Sequence, residues 1–255
     1  MRELNMGSIR SIDRAIDILQ SFTFERPFLT IEEMAKLTNL PNSTVYRILC
    51  TLERRALVQY DEKLLVYKPG LRLMEFGVLT SSVLDIRQES EEILYDLHIK
   101  TKQTVLMAVQ EGDGIIYIYK RENLEGLKFS SFVGQRRPFM YGVLGPILLA
   151  YSTKEQIDSI LSKPLTQHTK HTITEPETVR ARLEEIRQEK IHIDASETFL
   201  GVTGVGSPIF GLNQEVIAAI GVIGPSVHMD EQVDKVKKLI FEAAQTISFK
   251  MGYRT

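Results

Sequence analysis

The chain has 255 residues, 43% of them apolar, which is enough for two domains with separate cores; 31 Lys or Arg against 33 Asp or Glu leave a formal net charge of −2. That balance excludes strong sequence-independent attraction to a polyanion. One cysteine excludes an internal disulfide framework, and with no N-terminal signal region and no apolar run of membrane-spanning length the expectation is a cytoplasmic protein without a membrane partner.

Residues 8–22, SIRSIDRAIDILQSF, place Ile9, Ile12, Ile16 and Leu19 at helical spacing and predict a scaffold helix. Arg10 and Arg14 on it are open between reaching DNA and facing water. Residues 30–54, TIEEMAKLTNLPNSTVYRILCTLER, then read as two short amphipathic helices joined by a tight turn. Thr30 followed three residues later by Glu33 is a capping box. The expected buried face of the first helix is Ile31, Met34, Ala35 and Leu37, with the small Ala35 letting a second helix cross closely. Asn39 suits a left-handed turn, Pro41 marks a restart, and Asn42 is the candidate N-cap of the second helix. That helix buries Val45, Ile48, Leu49 and Leu52.

Its outer face keeps Asn42, Ser43, Thr44, Tyr46, Arg47, Thr51 and Arg54. Short hydrogen-bonders around an arginine suit a helix that enters a major groove, where Arg pairs with guanine and hydroxyls meet phosphates or bases. The blander alternative is a polar face that only meets water. Cys50, as a lone thiol, reads as a packing residue rather than a redox sensor. Residues 56–70 offer two short apolar segments around Asp61-Glu62-Lys63, a candidate wing that brings Lys63, and less directly Lys68, near a backbone phosphate. Residues 1–70 hold ten Lys or Arg against nine Asp or Glu. A module so nearly neutral needs dimerisation and specific base contacts to bind tightly.

Leu71, Leu73, Met74, Phe76 and Leu79 predict a further helix, and Leu84, Ile86, Ile93, Leu94 and Leu97 another after a Ser-Ser break. Such helices connect domains and often dimerise. Beyond 102 the period changes. Strands are expected at 104–110 and 115–120 around Glu111-Gly112-Asp113-Gly114, with a candidate third at 126–134. Helices are expected at 143–151, 153–162 and 175–190, strands near 203–210 and 215–223, and a closing helix after Asp230 that buries Val233, Val236, Ile240, Ala244, Ile247 and Met251. The fold class is α+β with an antiparallel sheet.

Enzymatic signals are sparse. The phosphate loop GxxxxGK[ST], G-x-S-x-G and HExxH do not occur, and GVTGVGSP (201–208) opens a strand, where glycines serve close backbone approach. His168 and His171 form an HxxH in a polar segment that reads as a solvated loop rather than a metal site; His98, His192 and His228 are isolated. Asp194 and Glu197 are an imaginable acid–base pair with no nucleophile marked beside them. The expectation is a non-enzyme without cofactor or metal.

Four segments in fixed order are more specific than any one motif: LPNSTVYRIL (40–49) with its wing, GQRRPFMYGVLGPILLA (134–150), ETFLGVTGVGSPIF (197–210) and VIAAIGVIGP (216–225). With these the chain resembles the IclR family of bacterial transcriptional regulators over nearly its whole length. The resemblance implies an N-terminal winged helix-turn-helix at 8–70, linker helices at 71–101, and a GAF-like or profilin-like effector domain at 102–255. It implies double-stranded operator DNA as one partner, bound as a homodimer or homotetramer by a regulator, most often a repressor, with an activator as alternative. The DNA contacts would be Asn42, Ser43, Thr44, Tyr46, Arg47 and Lys63.

The second implied partner is a small metabolite, commonly acidic or aromatic, held by the backbone amides of Val143 and Leu144 at a helix start, where N–H groups suit an anion. The family's polar contacts fall here on Asp194, Gly204, Gly221 and Ile223, of which only Asp194 has a polar side chain. Pro146 stands where the family often has Lys. A larger or less polar ligand than glyoxylate, reaching Leu106, Met107 or Tyr117, is therefore expected. A reading from another class is a metabolite-binding module or enzyme whose first domain makes protein contacts.

Overall fold

In the computed structural model, which describes residues 8–23, 25–82, 85–122 and 131–254, the chain divides into two units, residues 1–84 and 85–255. In the first, α1 (Arg10–Gln20), α2 (Ile31–Thr38) and α3 (Asn42–Arg54) precede a hairpin of β1 (Val58–Asp61) and β2 (Val66–Pro69), and α4 (Leu71–Ser82) follows. The capping box starts α2: Thr30 Oγ1 accepts from Glu33 N at 3.2 Å, and Thr30 N donates to the Glu33 carboxylate at 2.7 Å. The Thr30 N–H, and the Thr30 hydroxyl at 3.1 Å from the same oxygen, hold the Glu33 carboxyl below its usual pKa. Asn39 is left-handed at φ 53°, and the chain folds back so that Leu40 N donates to Ala35 O at 3.1 Å. This fold-back brings Leu40 against the core and leaves Leu37 46% exposed, contrary to the sequence expectation.

Pro41, not Asn42, takes the N-cap position of α3; its carbonyl accepts from Thr44 N and Val45 N, and Asn42 is the first helical residue. A larger difference lies in α1. Its core-facing edge is the buried Ile18 with the partly buried Ala15 and Leu19, followed by Phe22 just past the helix, packed with Met34, Val45 and Leu49, whereas the N-cap Ile9 and the helical Ile12 and Ile16 are 63%, 52% and 44% exposed. Periodicity identified the helix but not which of its two apolar edges faces α2 and α3. The wing gains an unforeseen edge, because Leu29 and Tyr67 exchange backbone hydrogen bonds at 3.0 and 2.8 Å.

The second unit is an antiparallel sheet in the order β5-β4-β3-β8-β7-β6, formed by β3 (Thr104–Glu111), β4 (Gly114–Arg121), β5 (Arg136–Pro138), β6 (His192–Ala195), β7 (Val202–Phe210) and β8 (Val216–Pro225). Of the expected strand at 126–134, residues 126–130 lie outside the described residues; 131–134 turn into β5, with Gly134 at φ 89°. Leu84 lies outside them too. One sheet face meets α6 (Leu144–Ala150), α7 (Lys154–Leu161) and α8 (Pro176–Glu189). The other meets α5 (Asp85–Thr101) and α10 (Val233–Lys250), the latter preceded by the short α9 (Ser226–Met229) and a 3-10 turn. Sequence reading missed β5 and β6, which are too short and polar to show alternation.

All seven residues of α6 are buried. The helix lies so close to the sheet that a Cβ on Gly206 would sit 2.6 Å from Ile147 Cδ1, and one on Gly221 would sit 2.8 Å from Leu144 Cδ2. Gly204 and Gly206 of the 201–208 run thus serve close approach, whereas Gly201, at φ 75° with open space around it, serves the turn into β7.

Ile18→Ala is expected to destabilise the first unit by about 2–5 kcal/mol and Ile12→Ala by less than about 1 kcal/mol, read from urea unfolding midpoints. Equal losses would mean that both edges of α1 are core.

Candidate functional site

Two regions concentrate polar groups on fixed backbone. In the first unit, Asn42, Ser43, Tyr46 and Arg47 are exposed on α3 and Thr44 is half-buried. Arg47 has no ion pair among the described residues, while Arg54 Nε donates to Cys50 O at 3.1 Å. Cys50 is half-buried on α3 one turn from the exposed Tyr46, and this neighbour raises the phenol pKa. Thr44, Arg47, Thr51 and Arg54 border a groove of about 810 Å³ whose other wall is Ile12, Ala15, Ile16 and Leu19 of α1.

At the hairpin tip, Asp61 Oδ1 accepts from Lys63 N and Leu64 N, both at 3.1 Å. Lys63 is exposed there. Lys68 is drawn back toward Asp61 at 3.7 Å. Lys63 forms no ion pair among the described residues, whereas Lys68 is partly neutralised.

In the second unit, the loop entering α6 faces the β6–β7 turn. Leu106, Tyr117, Val143, Asp194, Gly204 and Ile223 line a cavity of about 40 Å³, with Tyr141, Gly142, Thr198 and Phe199 closing it. Four of the six expected effector residues are brought together. Leu144 and Gly221 are not among the lining residues, because they pack against each other where α6 crosses β8. Met107 is fully buried but does not line the cavity, since the ladder is irregular between Met107 and Ala108 and successive strand residues face opposite ways.

Asp194 is fully engaged. Its Oδ1 accepts from Glu197 N at 2.8 Å and Thr198 N at 3.3 Å, and its Oδ2 accepts from the Thr198 hydroxyl at 2.6 Å. Thr198 Oγ1 in turn accepts from Gly142 N at 2.9 Å, so one hydroxyl ties the loop entering α6 to the carboxylate of β6. Glu197 pairs with Arg182 at 3.0 Å, while burial raises its carboxyl pKa. Asp194 and Glu197 thus build a turn and do not face each other as acid and base. The 163–174 loop is fastened over this turn: Thr172 Oγ1 donates to Glu197 O at 2.6 Å, and His168 lies edge-on to Tyr141 at 5.3 Å. His168 is otherwise exposed, as a solvated loop residue would be, and does not line the cavity.

Three contributors escaped sequence reading. Thr198 carried a faint signal, an Asp followed by Ser, Glu and Thr in a turn-forming run. Tyr141 and Arg137 carried none, because their positions depend on β5 pairing with β4, Ile115 opposite Arg137. The Arg137 guanidinium lies 4.5 Å from the centroid of Tyr141, and its Nε is buried with no hydrogen-bond partner among the described residues. Burial pushes the Tyr117 hydroxyl up to about 12, and the nearby Arg137 charge opposes that rise. The cavity therefore combines aromatic walls with a neighbouring cation.

Comparison with known proteins follows the same division. Residues 11–62 match the model of the IclR helix-turn-helix domain, and residues 78–249 match that of the bacterial transcriptional regulator IclR C-terminal domain. The HTH-type transcriptional regulator KdgR of Dickeya chrysanthemi is 28% identical over 248 residues, covering 96% of this chain and 81% of that protein. The transcriptional repressor IclR of Escherichia coli (strain K12) is 25% identical over 250 residues, covering 96% of this chain and 91% of that one. Among solved structures, an IclR transcriptional regulator from Alicyclobacillus acidocaldarius superposes with TM-score 0.86 at 25% identity, covering 96% and 100% of the two chains. An IclR homolog from Microbacterium hydrocarbonoxydans, complexed with 4-hydroxybenzoate, gives 0.86 at 23% identity, covering 94% and 98%.

His192, one strand position pair from Asp194, gives the second unit a pH dependence. Burial first, then the Arg182 charge, lower its pKa from 6.5 to about 3. The unfolded chain takes up this proton near 6.5 and the native chain only near 3, so stability falls as pH drops through that window. From pH 7 to 5 the loss due to His192 is about 2 kcal/mol. Urea unfolding of wild type and His192→Gln at the two pH values checks this, the variant showing the smaller drop.

Proposed function

The chain belongs to the IclR family of bacterial transcriptional regulators, and on that premise we propose that it is a repressor that binds a pseudo-palindromic operator as a dimer or tetramer and responds to a small aromatic carboxylate. The observation that carries the DNA half is the exposed start of α3, where Asn42, Ser43, Tyr46 and Arg47 stand clear of the core. Arg47 reads a guanine edge, the hydroxyls of Ser43 and Thr44 meet phosphate or base, and Lys63 holds the backbone from the wing. Repression follows the printed role of the similar IclR of Escherichia coli.

Self-association is supported by apolar surface. Leu71, Met74 and Val78 of α4 and Ile9, Ile12 and Ile16 of α1 are exposed, an arrangement monomers rarely keep. A second copy doubles the few positive contacts that a nearly neutral reading head supplies.

The effector half rests on the cavity at Val143, Asp194, Gly204 and Ile223. At about 40 Å³ it holds a few waters and not a substituted ring, so ligand binding requires the Thr198–Phe199 turn to move outward. Arg137 supplies the charge that Pro146 does not, and the ring meets Tyr117, Tyr141 and Phe199. A homolog of the same fold that binds 4-hydroxybenzoate supports this ligand class. The ligand shifts DNA binding only by favouring one dimer arrangement over another. The domain division at 8–70, 71–101 and 102–255 assigns these tasks along the chain.

Operator selected from genomic fragments tests the reading. Arg47→Ala is expected to weaken binding of the selected site by about 1–3 kcal/mol in a salt-controlled shift assay, while Lys63→Ala weakens all sequences alike and lowers the salt slope by about one. Failure to enrich any palindromic site overturns the regulator reading. For the cavity, titration calorimetry with 4-hydroxybenzoate as the probe is expected to show affinity at least about tenfold lower in Arg137→Gln, with no change for the neutral 4-hydroxybenzamide.

A further inference from the structure

The largest cleft of the second unit among those described lies away from Asp194. It has a volume of about 450 Å³ and runs between β7 and the C-terminal half of α10, with the end of α8 and the chain's tail as its remaining walls. Its walls are unusually aromatic. Phe210 and Tyr253 stack with centroids 5.1 Å apart, Tyr151 supports Phe210 edge-on at 5.5 Å, and Phe241 and Phe249 line the α10 side.

The formal charges among the lining residues are both positive, Lys190 and Arg254, and no carboxylate lines the cleft among the described residues. Neither cation is neutralised by an ion pair among those residues. Lys190 Nζ lies 5.3 Å from the Phe210 centroid, and Arg254 lies over Phe249 at 4.2 Å while its Nη1 donates to the carbonyls of Phe249 and Tyr253. Ring faces and carbonyls orient a cation without cancelling its charge. The backbone that presents them is fixed: Lys190 is the left-handed C-cap of α8, and its carbonyl accepts from Ser207 Oγ at 2.9 Å. Ser248 Oγ accepts from Phe210 N at 3.0 Å and so ties α10 to the end of β7.

We propose that this cleft is a second small-molecule site, separate from the Asp194 cavity, that takes a flat aromatic carboxylate: the ring against Phe241, Phe249 and Tyr253, the carboxylate on Lys190 and Arg254. Size, apolar lining and a small number of charges match what such ligands require. The charge sign selects an acid over a neutral or cationic ring. Thr246 of α10 lines this cleft and also the seam between α10 and α5, so occupancy bears directly on the packing of the helix that begins the second unit.

The proposal stands independently of the operator reading. Calorimetric titration of the full-length chain with 2-naphthoate is expected to give saturable binding that falls at least about tenfold in Lys190→Gln/Arg254→Gln and persists in Arg137→Gln. The neutral 2-naphthamide is expected to bind at least about tenfold more weakly. No saturable binding, equal binding of the amide, or loss in Arg137→Gln but not in the double variant overturns it. So does a drop in oligomeric state of the double variant by sedimentation, which would make the cleft a contact between copies.

Discussion

The close approach of α6 to β7 and β8 is the constraint on which the second unit depends. A helix packed on a sheet usually stands off by the thickness of its side chains, but here Gly204, Gly206 and Gly221 remove that layer from the strands. Val143, Leu144 and Ile147 fill the space. The same logic operates on the helix side, where a Cβ on Gly145 would sit 2.0 Å from Phe139 O. Because the helix is pinned from both sides, the loop at 139–143 has little freedom, and Gly142 N is delivered to the Thr198 hydroxyl.

From that placement follows the closed state of the cavity. Thr198, Asp194 and three backbone N–H groups satisfy one another, which is the condition for burying them. The turn that carries Thr198 is also fastened to the 163–174 loop, through Thr169 and Thr172. On the reading proposed above, a ligand replaces the bonds of Thr198 and Asp194 with its own and moves both segments together.

The first unit is built on the opposite economy. Its core is one small cluster around Ile18, Met34, Val45 and Leu49, and much apolar surface on α1 and α4 is left outside it. A unit of this size has limited stability of its own, and in the dimer proposed above a second copy would cover those faces and bring a second α3. The Asp61 turn at the hairpin tip is a local device that fixes the backbone carrying Lys63.

Sequence alone determined the elements whose signals are local. Thr30 and Glu33 defined a helix start three residues apart, Asn39 a left-handed turn, Glu111-Gly112-Asp113-Gly114 a hairpin, and the period after Asp230 the closing helix. The exposed face of α3 was legible for the same reason, because helical spacing separates it from Val45, Leu49 and Leu52. Four positions that line the cavity beside α6 were legible only through resemblance to a family. Tertiary structure decided what spacing leaves degenerate: which apolar edge of α1 is buried, whether Leu37 or Leu40 completes α2, and which of Leu106 and Met107 faces the cavity. It alone brought Arg137 beside Tyr141 and Thr198 between Asp194 and Gly142, since strand pairing and chain reversal join residues that sequence separation keeps apart.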